Sequence, residues 1–301
     1  MLLRSTANRT RHGALSAARV RWTSTAAADV SDARAARRAA RADKPQAVAI
    51  EGTTPFYTRQ LVVVDPEDDA PRRWPKKLEQ SNHVIAAYAK ALEPHGGAKE
   101  SPLKAIAATP FLSTAGRCRS DESQEPAELS ERHDLLVFPD LLRVSNVQLS
   151  QVDSIVSDLM QADADAAVVF KRHELDVKPL DDGVHILVCA HDQRDFRCGC
   201  NGPKLLEWLR DEGDAQGVSV HLYSSSHFGG HRYAANCITY PGGDWFGLIN
   251  AREDAAELLR AVNEDAPLRL HDRWRGRVAL TKEQQLQAVQ QVLADAAMQS
   301  V

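Results

Sequence analysis

The sequence predicts an α/β protein made of two successive α/β segments and a C-terminal helix. Short β-branched runs such as residues 61–64 alternate with longer segments of helical periodicity, which is typical of strands and helices packed on one another. The 301 residues, 43% hydrophobic and 26% charged, suffice for one large core or two ordinary ones and exclude disorder over the whole chain. No window approaches the roughly 18 consecutive apolar residues of a membrane span, so we expect no transmembrane segment.

The N-terminus has the composition of a mitochondrial transit peptide. Residues 1–28 contain five arginines and no acidic residue, and the arginines interrupt every apolar run, which disfavours a secretory signal. We predict a transit peptide and linker over residues 1–44, and a location in the mitochondrial matrix or intermembrane space. Removing five of the 37 basic residues leaves 32 against 41 acidic ones, a net charge of about −9. The alternative is a basic tail with no targeting role.

Residues 45–177 are predicted to form an N-terminal α/β domain. We expect a buried strand at residues 59–65 and a helix that opens at Trp74 and ends near His95. The later predicted elements are a strand at 135–139, a helix at 152–160 and a short strand at 167–170. This domain shows no cluster of a nucleophile with a base and no phosphate-binding loop, so its sequence assigns it no chemistry.

Residues 178–266 follow a more regular, βαββα-like order, and residues 267–301 extend it with a last helix from Thr281. The predicted elements are a strand at 183–189, a helix at 203–210, a strand at 218–222, a hairpin at 235–249 and a closing helix. Asn250 is the expected N-cap of that closing helix, with Glu253 as its capping-box partner. This order is that of a compact α/β domain.

Two cysteines and two histidines lie at predicted loop positions of this second domain. Cys189 ends a strand, Cys198 follows after eight residues, and His227 and His231 flank a segment with two glycines. Thiolate and imidazole suit an iron–sulfur cluster, zinc or copper, whereas magnesium and calcium require oxygen ligands. The glycines allow positive φ and a close approach of the backbone, so both imidazoles can turn to one metal.

The spacing leaves the identity of the metal open. Cys198 and His227 are separated by 28 residues, whereas a zinc finger of the two-cysteine, two-histidine class uses about 12, which excludes that class. A different structural zinc site remains an alternative, because two thiolates and two imidazoles form a closed tetrahedral set. The five cysteines are too few for a disulfide scaffold.

Two stretches carry a resemblance to a known family. VCAHDQRDFRCGCNGPKLLEWL and SSSHFGGHRYAANCITYPGGDWFGLI resemble the sucrase/ferredoxin-like branch of the thioredoxin-like [2Fe-2S] ferredoxins. The resemblance covers about residues 183–250 and implies a thioredoxin-like ferredoxin domain there. It also implies that Cys189 and Cys198 bind one iron, and that His227 and His231 stand where other members have their third and fourth cysteines. Cys200 is an alternative ligand or an auxiliary thiol.

The resulting functional hypothesis is an electron carrier or redox sensor, not a stand-alone enzyme. Two imidazoles in place of thiolates raise the reduction potential of a [2Fe-2S] cluster. We expect an unidentified redox partner protein and a contribution to thiol redox quality control. Nucleic acid is not expected as a partner, because the net charge of −4 offers no basic excess. The oligomeric state stays open.

Two other functions compete with this hypothesis. The first is a thiol-disulfide oxidoreductase on a thioredoxin-like scaffold, using Cys198 with Cys200 or Cys189, although the absence of a CxxC motif counts against it. The second is a structural zinc protein that acts as an interaction module. The identity of the bound metal separates the second from the redox hypothesis.

Overall fold

A computed structural model of the chain describes residues 49–67, 69–111 and 131–299. The predicted transit peptide and linker at residues 1–44 lie outside the described residues, which all belong to one compact unit. The α-helices are α1 Ala70–Arg73, α2 Ile85–Leu92, α3 Gly97–Glu100, α4 Val152–Leu159, α5 Ala166–Arg172, α6 Phe196–Gln216, α7 Arg252–Asn263 and α8 Lys282–Gln299. The predicted α/β class and C-terminal helix are confirmed.

In the described part of the chain, all strands belong to one ten-stranded sheet. The strands are β1 Arg59–Val64, β2 Leu103–Pro110, β3 Arg132–Phe138, β4 Leu142–Gln148, β5 Asp176–Pro179, β6 Val184–Cys189, β7 Val220–Ser225, β8 Cys237–Tyr240, β9 Asp244–Phe246 and β10 Trp274–Arg277. Their order across the sheet is β10-β9-β8-β6-β7-β2-β1-β3-β4-β5. Strands that neighbour each other here are often distant in sequence.

The same strand arrangement occurs twice in this sheet. β6 runs parallel to β7 and antiparallel to β8, which in turn pairs antiparallel with β9. β1 likewise runs parallel to β2 and antiparallel to β3, which pairs antiparallel with β4. In the arrangement that contains β6, α6 lies between β6 and β7 and α7 follows β9, which is the order of strands and helices predicted for this part of the chain. We refer to β1–β5 and β6–β9, with their helices, as the first and second halves.

The β-branched strands are buried on both faces of the sheet. Helices cover one face, and a hydrophobic cluster with residues of both halves covers the other. In β1, Leu61 and Val63 pack with α2 and α4, whereas Val62 belongs to a cluster on the opposite face. That cluster contains residues of both halves, among them Leu187 and Ile238. A strand buried on both faces has no polar alternation, which explains the continuous apolar run in the sequence.

The two halves join where β2 pairs antiparallel with β7. Ala108 lies opposite Ser225, and Thr109 opposite Ser224. Just beyond β7, the Ser226 backbone N–H donates to the Ala107 carbonyl at 2.7 Å, and the Ala107 N–H donates to Ser226 Oγ at 3.0 Å. The loop that carries the two candidate histidines therefore starts from a point fixed by both halves.

Four local predictions were wrong. The helix expected to open at Trp74 begins only at Ile85, and Trp74 is instead the C-cap of α1. The strand expected at residues 167–170 is part of the helix α5, whose N-terminus is capped by Asp165 accepting from the Val168 N–H at 3.0 Å. Asn250 does not cap α7, because its Oδ1 accepts from the Ala235 N–H at 3.2 Å instead. The helix expected from residue 203 begins at Phe196, so Cys198 lies in a helical turn and not in a loop.

The C-terminal helix α8 packs against the second half. Val289 is buried in the second-half core, and the buried Gln285 amide donates to the carbonyls of Thr54 and Leu280 at 3.2 and 2.9 Å. Among the described residues, no helix combines the length and apolar character that crossing a membrane takes.

Candidate metal centre

Three of the four predicted ligands meet at the C-terminal ends of β6 and β7. Cys189 is the last residue of β6, Cys198 lies in the first turn of α6, and His227 follows β7 in the loop. Their sulfur and nitrogen atoms all lie within 4.8 Å of one another, and Cys189 Sγ is 3.9 Å from His227 Nδ1. The two cysteines are fully buried, and His227 is half-buried.

His231 lies beside this group but outside it. It is exposed and begins the 3₁₀ turn His231–Tyr233, and its ring centre is 5.6 Å from that of His227. Cys200 is also exposed, whereas Cys198 is buried on the same helix. Because residues two apart on a helix point to different faces, Cys198 and Cys200 do not face the same site.

The electrostatics around Cys189 and Cys198 favour a thiolate on Cys189. A hydrogen bond from Cys198 lowers the pKa of the Cys189 thiol to about 6, and the neighbouring His227 acts in the same direction against burial. The shared proton stays on Cys198, whose pKa is raised by that hydrogen bond and by burial. The lowered pKa of Cys189 favours its thiolate, which is the form that binds metals and attacks disulfides.

The turn between the two cysteines is built by an N-cap and a close helix contact. The Asp195 carboxylate accepts from the Arg197 backbone N–H at 3.0 Å and pairs with both ends of the Arg197 guanidinium at 2.9 Å. Gly202, one turn after Cys198, lies against the Cys189 carbonyl oxygen, where a Cβ would overlap that atom. The glycine lets α6 approach the end of β6 closely enough to bring the two sulfurs together.

A histidine that the sequence analysis did not single out holds the His227 backbone. The ring of His191 is buried, with Nε2 donating to the Pro75 carbonyl at 3.1 Å and Nδ1 accepting from the His227 N–H at 3.3 Å. It also makes an edge contact with Trp74 at 5.6 Å between ring centres. Burial lowers the pKa of His191 to about 4, consistent with a neutral ring that donates once and accepts once.

Residues 71–76 of the first half pack under the loop between the two cysteines, and we call them the wall of the site. The contacts, all to carbonyls of the α1 segment, are the Asp192 N–H to Pro71 at 3.4 Å, Gln193 Nε2 to Arg72 at 3.3 Å and Arg194 Nη1 to Lys76 at 3.0 Å. Trp74 is held in this wall by its Nε1, which donates to Asp65 at 3.0 Å. The Trp-Pro-Lys-Lys motif at residues 74–77 was the signal in the sequence that could have located this wall.

On the other side, an arginine from β10 supports the histidine loop. Arg275 Nη1 donates to the Gly229 carbonyl at 3.4 Å and to Asn236 Oδ1 at 3.2 Å. Asn236 Nδ2 in turn donates to the Gly230 carbonyl at 2.9 Å. Gly230 has φ of 74° and a Cβ there would meet the Arg275 guanidinium, so glycine is required on both counts.

The donor atoms fit an iron–sulfur cluster or zinc. Two sulfurs and one imidazole nitrogen form the group, with a second imidazole at its open side, and none of them is an oxygen donor of the kind that magnesium and calcium need. In the first half, the position equivalent to the end of β6 is the end of β1, where Asp65 accepts from Trp74 and lies 3.5 Å from His83. Within the described ranges, the thiol and imidazole group occurs only in the second half.

Comparison with known proteins places these residues in a family context. A family model described as Sucrase/ferredoxin-like matches residues 50–276. Altered inheritance of mitochondria protein 32 from Debaryomyces hansenii is 36% identical over 89 residues, 28% of this chain and 33% of that protein. Its counterpart from Candida glabrata is 26% identical over 177 residues, covering 48% and 55%. Actin patches distal protein 1 from Saccharomyces cerevisiae is 24% identical over 123 residues, covering 36% and 39%.

These matches cover from a third to little more than half of the relatives' own length. Among solved structures, a thioredoxin-like [2Fe-2S] ferredoxin from Aquifex aeolicus is similar with a TM-score of 0.27 and 13% identity. The similarity covers 32% of this chain and 94% of that one.

Proposed function

The chain belongs to the sucrase/ferredoxin-like family, and from this premise we propose that it is a mitochondrial [2Fe-2S] redox protein that carries single electrons or senses redox state. The proposed ligands are Cys189, Cys198, His227 and His231. Residues 178–266 would form the cluster domain, with an N-terminal domain at 45–177 and an extension at 267–301. The observation that carries the proposal is the group of three soft donors within 4.8 Å, supplied by three separate elements.

The burial of the ligands supports a role in exchange with a partner protein. A cluster held by these residues would supply one-electron redox chemistry. The two cysteines are shielded from water by Phe228 and Ala234, while His231 is exposed at the surface. A partner therefore reaches the site from the histidine side. The His227 backbone is fixed by His191, so the ring is oriented before a metal binds, as hydrogen-bonded supports of metal ligands do elsewhere.

The mitochondrial part of the proposal rests on two observations. Residues 1–28 have the composition of a transit peptide, and relatives that match the chain are named for altered inheritance of mitochondria. The test is import of the full chain into isolated mitochondria. Protease-protected, shortened protein that depends on the membrane potential is expected, and an unshortened protein that stays accessible to protease would contradict this part of the proposal.

A second candidate function is favoured by the thiol pair itself. The lowered pKa of Cys189 and its hydrogen bond with Cys198 are those of a nucleophilic thiolate beside a second thiol. In this reaction Cys189 attacks a disulfide of a substrate, and Cys198 then attacks the mixed disulfide. A Cys189–Cys198 disulfide forms, the substrate leaves as two thiols, and two electrons pass from the protein to the substrate. The same thiols, metal-free, would contribute to thiol redox quality control.

The deciding experiment measures iron, acid-labile sulfide and zinc on full-length protein purified without oxygen, with electron paramagnetic resonance after reduction. Two irons and two sulfides per chain are expected, and Cys189→Ser, Cys198→Ser, His227→Ala and His231→Ala should each lower or alter them. Cys200→Ser and His95→Ala are the matched controls, since Cys200 is exposed and His95 lies in the first half. One zinc without iron would establish the structural alternative.

Disulfide exchange is assayed on the same preparations. If the protein holds no metal but reduces a disulfide substrate, and Cys189→Ser abolishes this while Cys200→Ser retains it, the thiol function replaces the cluster function. A cluster with no exchange activity supports the electron-carrier proposal alone.

A further inference from the structure

A cavity of about 310 Å³ opens at the surface next to His231. Its lining residues are Thr53, Gly230, His231, Arg232, Tyr233 and Arg275. The lining therefore includes two arginines, a histidine and a tyrosine, and none of the described residues that line it is acidic. This composition contrasts with the chain as a whole, in which 41 acidic residues outnumber 37 basic ones.

The guanidinium of Arg275 is buried among neutral acceptors. The side chain is 2% exposed. Its acceptors are Thr53 Oγ1 at 3.1 Å, the Thr53 carbonyl at 3.2 Å, Asn236 Oδ1 at 3.2 Å and the Gly229 carbonyl at 3.4 Å. A guanidinium has five N–H donors, so these four acceptors leave one donor over and supply no negative charge. Among the described residues, no carboxylate pairs with Arg275.

Arg232, the second arginine that lines the cavity, also has no carboxylate partner among the described residues. It is exposed, and its guanidinium lies over the Tyr233 ring, 4.7 Å from the ring centre, while that of Arg275 lies 4.9 Å from the same centre. The described part of the chain gives neither arginine an ion pair. Elsewhere the protein pairs its partly buried arginines with acids, as Arg277 with Asp244 at 3.0 Å and Arg59 with Asp140 at 2.7 Å.

A buried guanidinium without a carboxylate partner costs free energy, part of which the Tyr233 and Trp245 rings offset and more of which an anion in the cavity would offset. Removing a guanidinium from water without a counter-charge is expensive, and charge-assisted hydrogen bonds to an oxyanion are the interactions that offset this cost. Burial lowers the pKa of Arg275 to about 10, which still leaves the group charged at neutral pH. The cavity is thus lined by a buried guanidinium that has one N–H donor left over and by a second, exposed arginine.

We propose that this cavity is a binding site for a small oxyanion, a carboxylate or a phosphate group, held between Arg232 and Arg275 beside His231. The exposed guanidinium of Arg232 offers two parallel N–H groups that match either oxyanion, and Arg275 offers the one N–H that its four acceptors leave over. Because His231 lines the cavity, a bound anion would lie next to the candidate metal centre. The carboxylate source would be an acidic side chain or chain terminus of the redox partner, and the phosphate source a free metabolite. The proposal itself holds with or without a bound metal.

Isothermal titration calorimetry of the full-length protein at constant ionic strength tests the proposal, with inorganic phosphate, acetate and the neutral acetamide as separate probes. Saturable binding of phosphate or acetate, and none of acetamide, is expected. Tighter binding of acetate points to a carboxylate ligand, and tighter binding of phosphate to a phosphorylated one. No saturable heat with either anion would overturn the proposal.

Two arginine variants locate the site. Arg232→Gln removes an exposed side chain and leaves the fold in place, and loss of its charge-assisted hydrogen bonds should weaken binding roughly 10- to 100-fold. Arg260→Gln, an exposed arginine of α7 paired with Glu257, is the matched control and should bind as the unmodified protein does. Equal affinity in all three proteins would place the anion elsewhere and refute the proposal. Since the readout is anion binding and not metal content, failure here leaves the cluster proposal standing, and the reverse also holds.

Discussion

Replacing His191 by leucine should weaken both the fold and the metal centre. The imidazole is one of the links between the two halves at this site, because Nε2 donates to the Pro75 carbonyl and Nδ1 accepts from the His227 N–H. Leucine fills a similar volume but makes neither hydrogen bond. The His227 N–H and the Pro75 carbonyl then lose these hydrogen-bond partners.

The size of the effect follows from those two groups. A buried polar group left unpaired costs about 1–3 kcal/mol, and the edge contact between Trp74 and the His191 ring is worth about 0.5–1.5 kcal/mol. Water can partly replace the lost hydrogen-bond partners. We therefore expect the free energy of unfolding to fall by about 2–4 kcal/mol, less than the sum of these contributions. Because the His227 backbone loses its support, metal affinity should fall about 10- to 100-fold as well.

Urea unfolding of the metal-free protein measures the first effect, and titration with cobalt as a spectroscopic probe of the thiolates measures the second. His191→Gln places an amide donor near the position of Nε2 and should recover part of the stability, while His95→Leu controls for loss of a histidine in general. If His191→Leu unfolds at the same urea concentration as the unmodified protein and binds cobalt equally well, the supporting role of His191 is wrong.

Three further outcomes are expected. Gly202→Ala should lower the free energy of unfolding, measured in urea, by about 1–3 kcal/mol, because the new methyl overlaps the Cys189 carbonyl oxygen. In an open helix the same change stabilises by about 0.5–1 kcal/mol, so a stabilised variant would contradict the contact. Acidification below pH 6.5 should destabilise the protein, because burial lowers the pKa of His133 to about 4 and the unfolded chain takes up the proton first. In urea titrations across this range, the free energy of unfolding of His133→Leu should fall by up to about 1.4 kcal/mol less per pH unit than that of the unmodified protein. The same pH dependence in both proteins would reject this assignment. Asp244→Asn should cost about 3 kcal/mol or more in thermal or urea unfolding, since the buried carboxylate pairs with Arg277, and a neutral result would show that the pair breaks even.

Periodicity in the sequence was enough to locate the main strands and the last helix. The apolar runs of β1 and β6, the hairpin of β8 and β9, and the helix after Thr281 were all expected, because each has a local pattern of burial. The same local rule failed at Ala166–Arg172, where a short apolar run is compatible with either structure and the Asp165 cap decides for a helix. Asn250 failed for a different reason, since a tertiary contact with Ala235 competes for its side chain.

The residues that support the candidate site could not be predicted from local sequence patterns. Pro75 and His191 are separated by 116 positions, and Thr53 and Arg275 by 222, so nothing in either segment alone indicates the contact. The cysteines and histidines were identified because their residue types and spacing carry chemistry by themselves. Their neighbours gain a role only from the pairing of strands that brings the segments together.

The continuous sheet also bears on self-association. Two separate five-stranded sheets would present four open strand edges, each a template for pairing with another chain. Because β2 and β7 cover one another, the sheet in the described residues ends only at β10 and β5. Both of these strands have four residues; β5 contains Lys178 and Pro179, and the register of β10 is broken between Trp274 and Gly276. Short length, lysine, proline and bulges are the features by which exposed edges avoid aggregation.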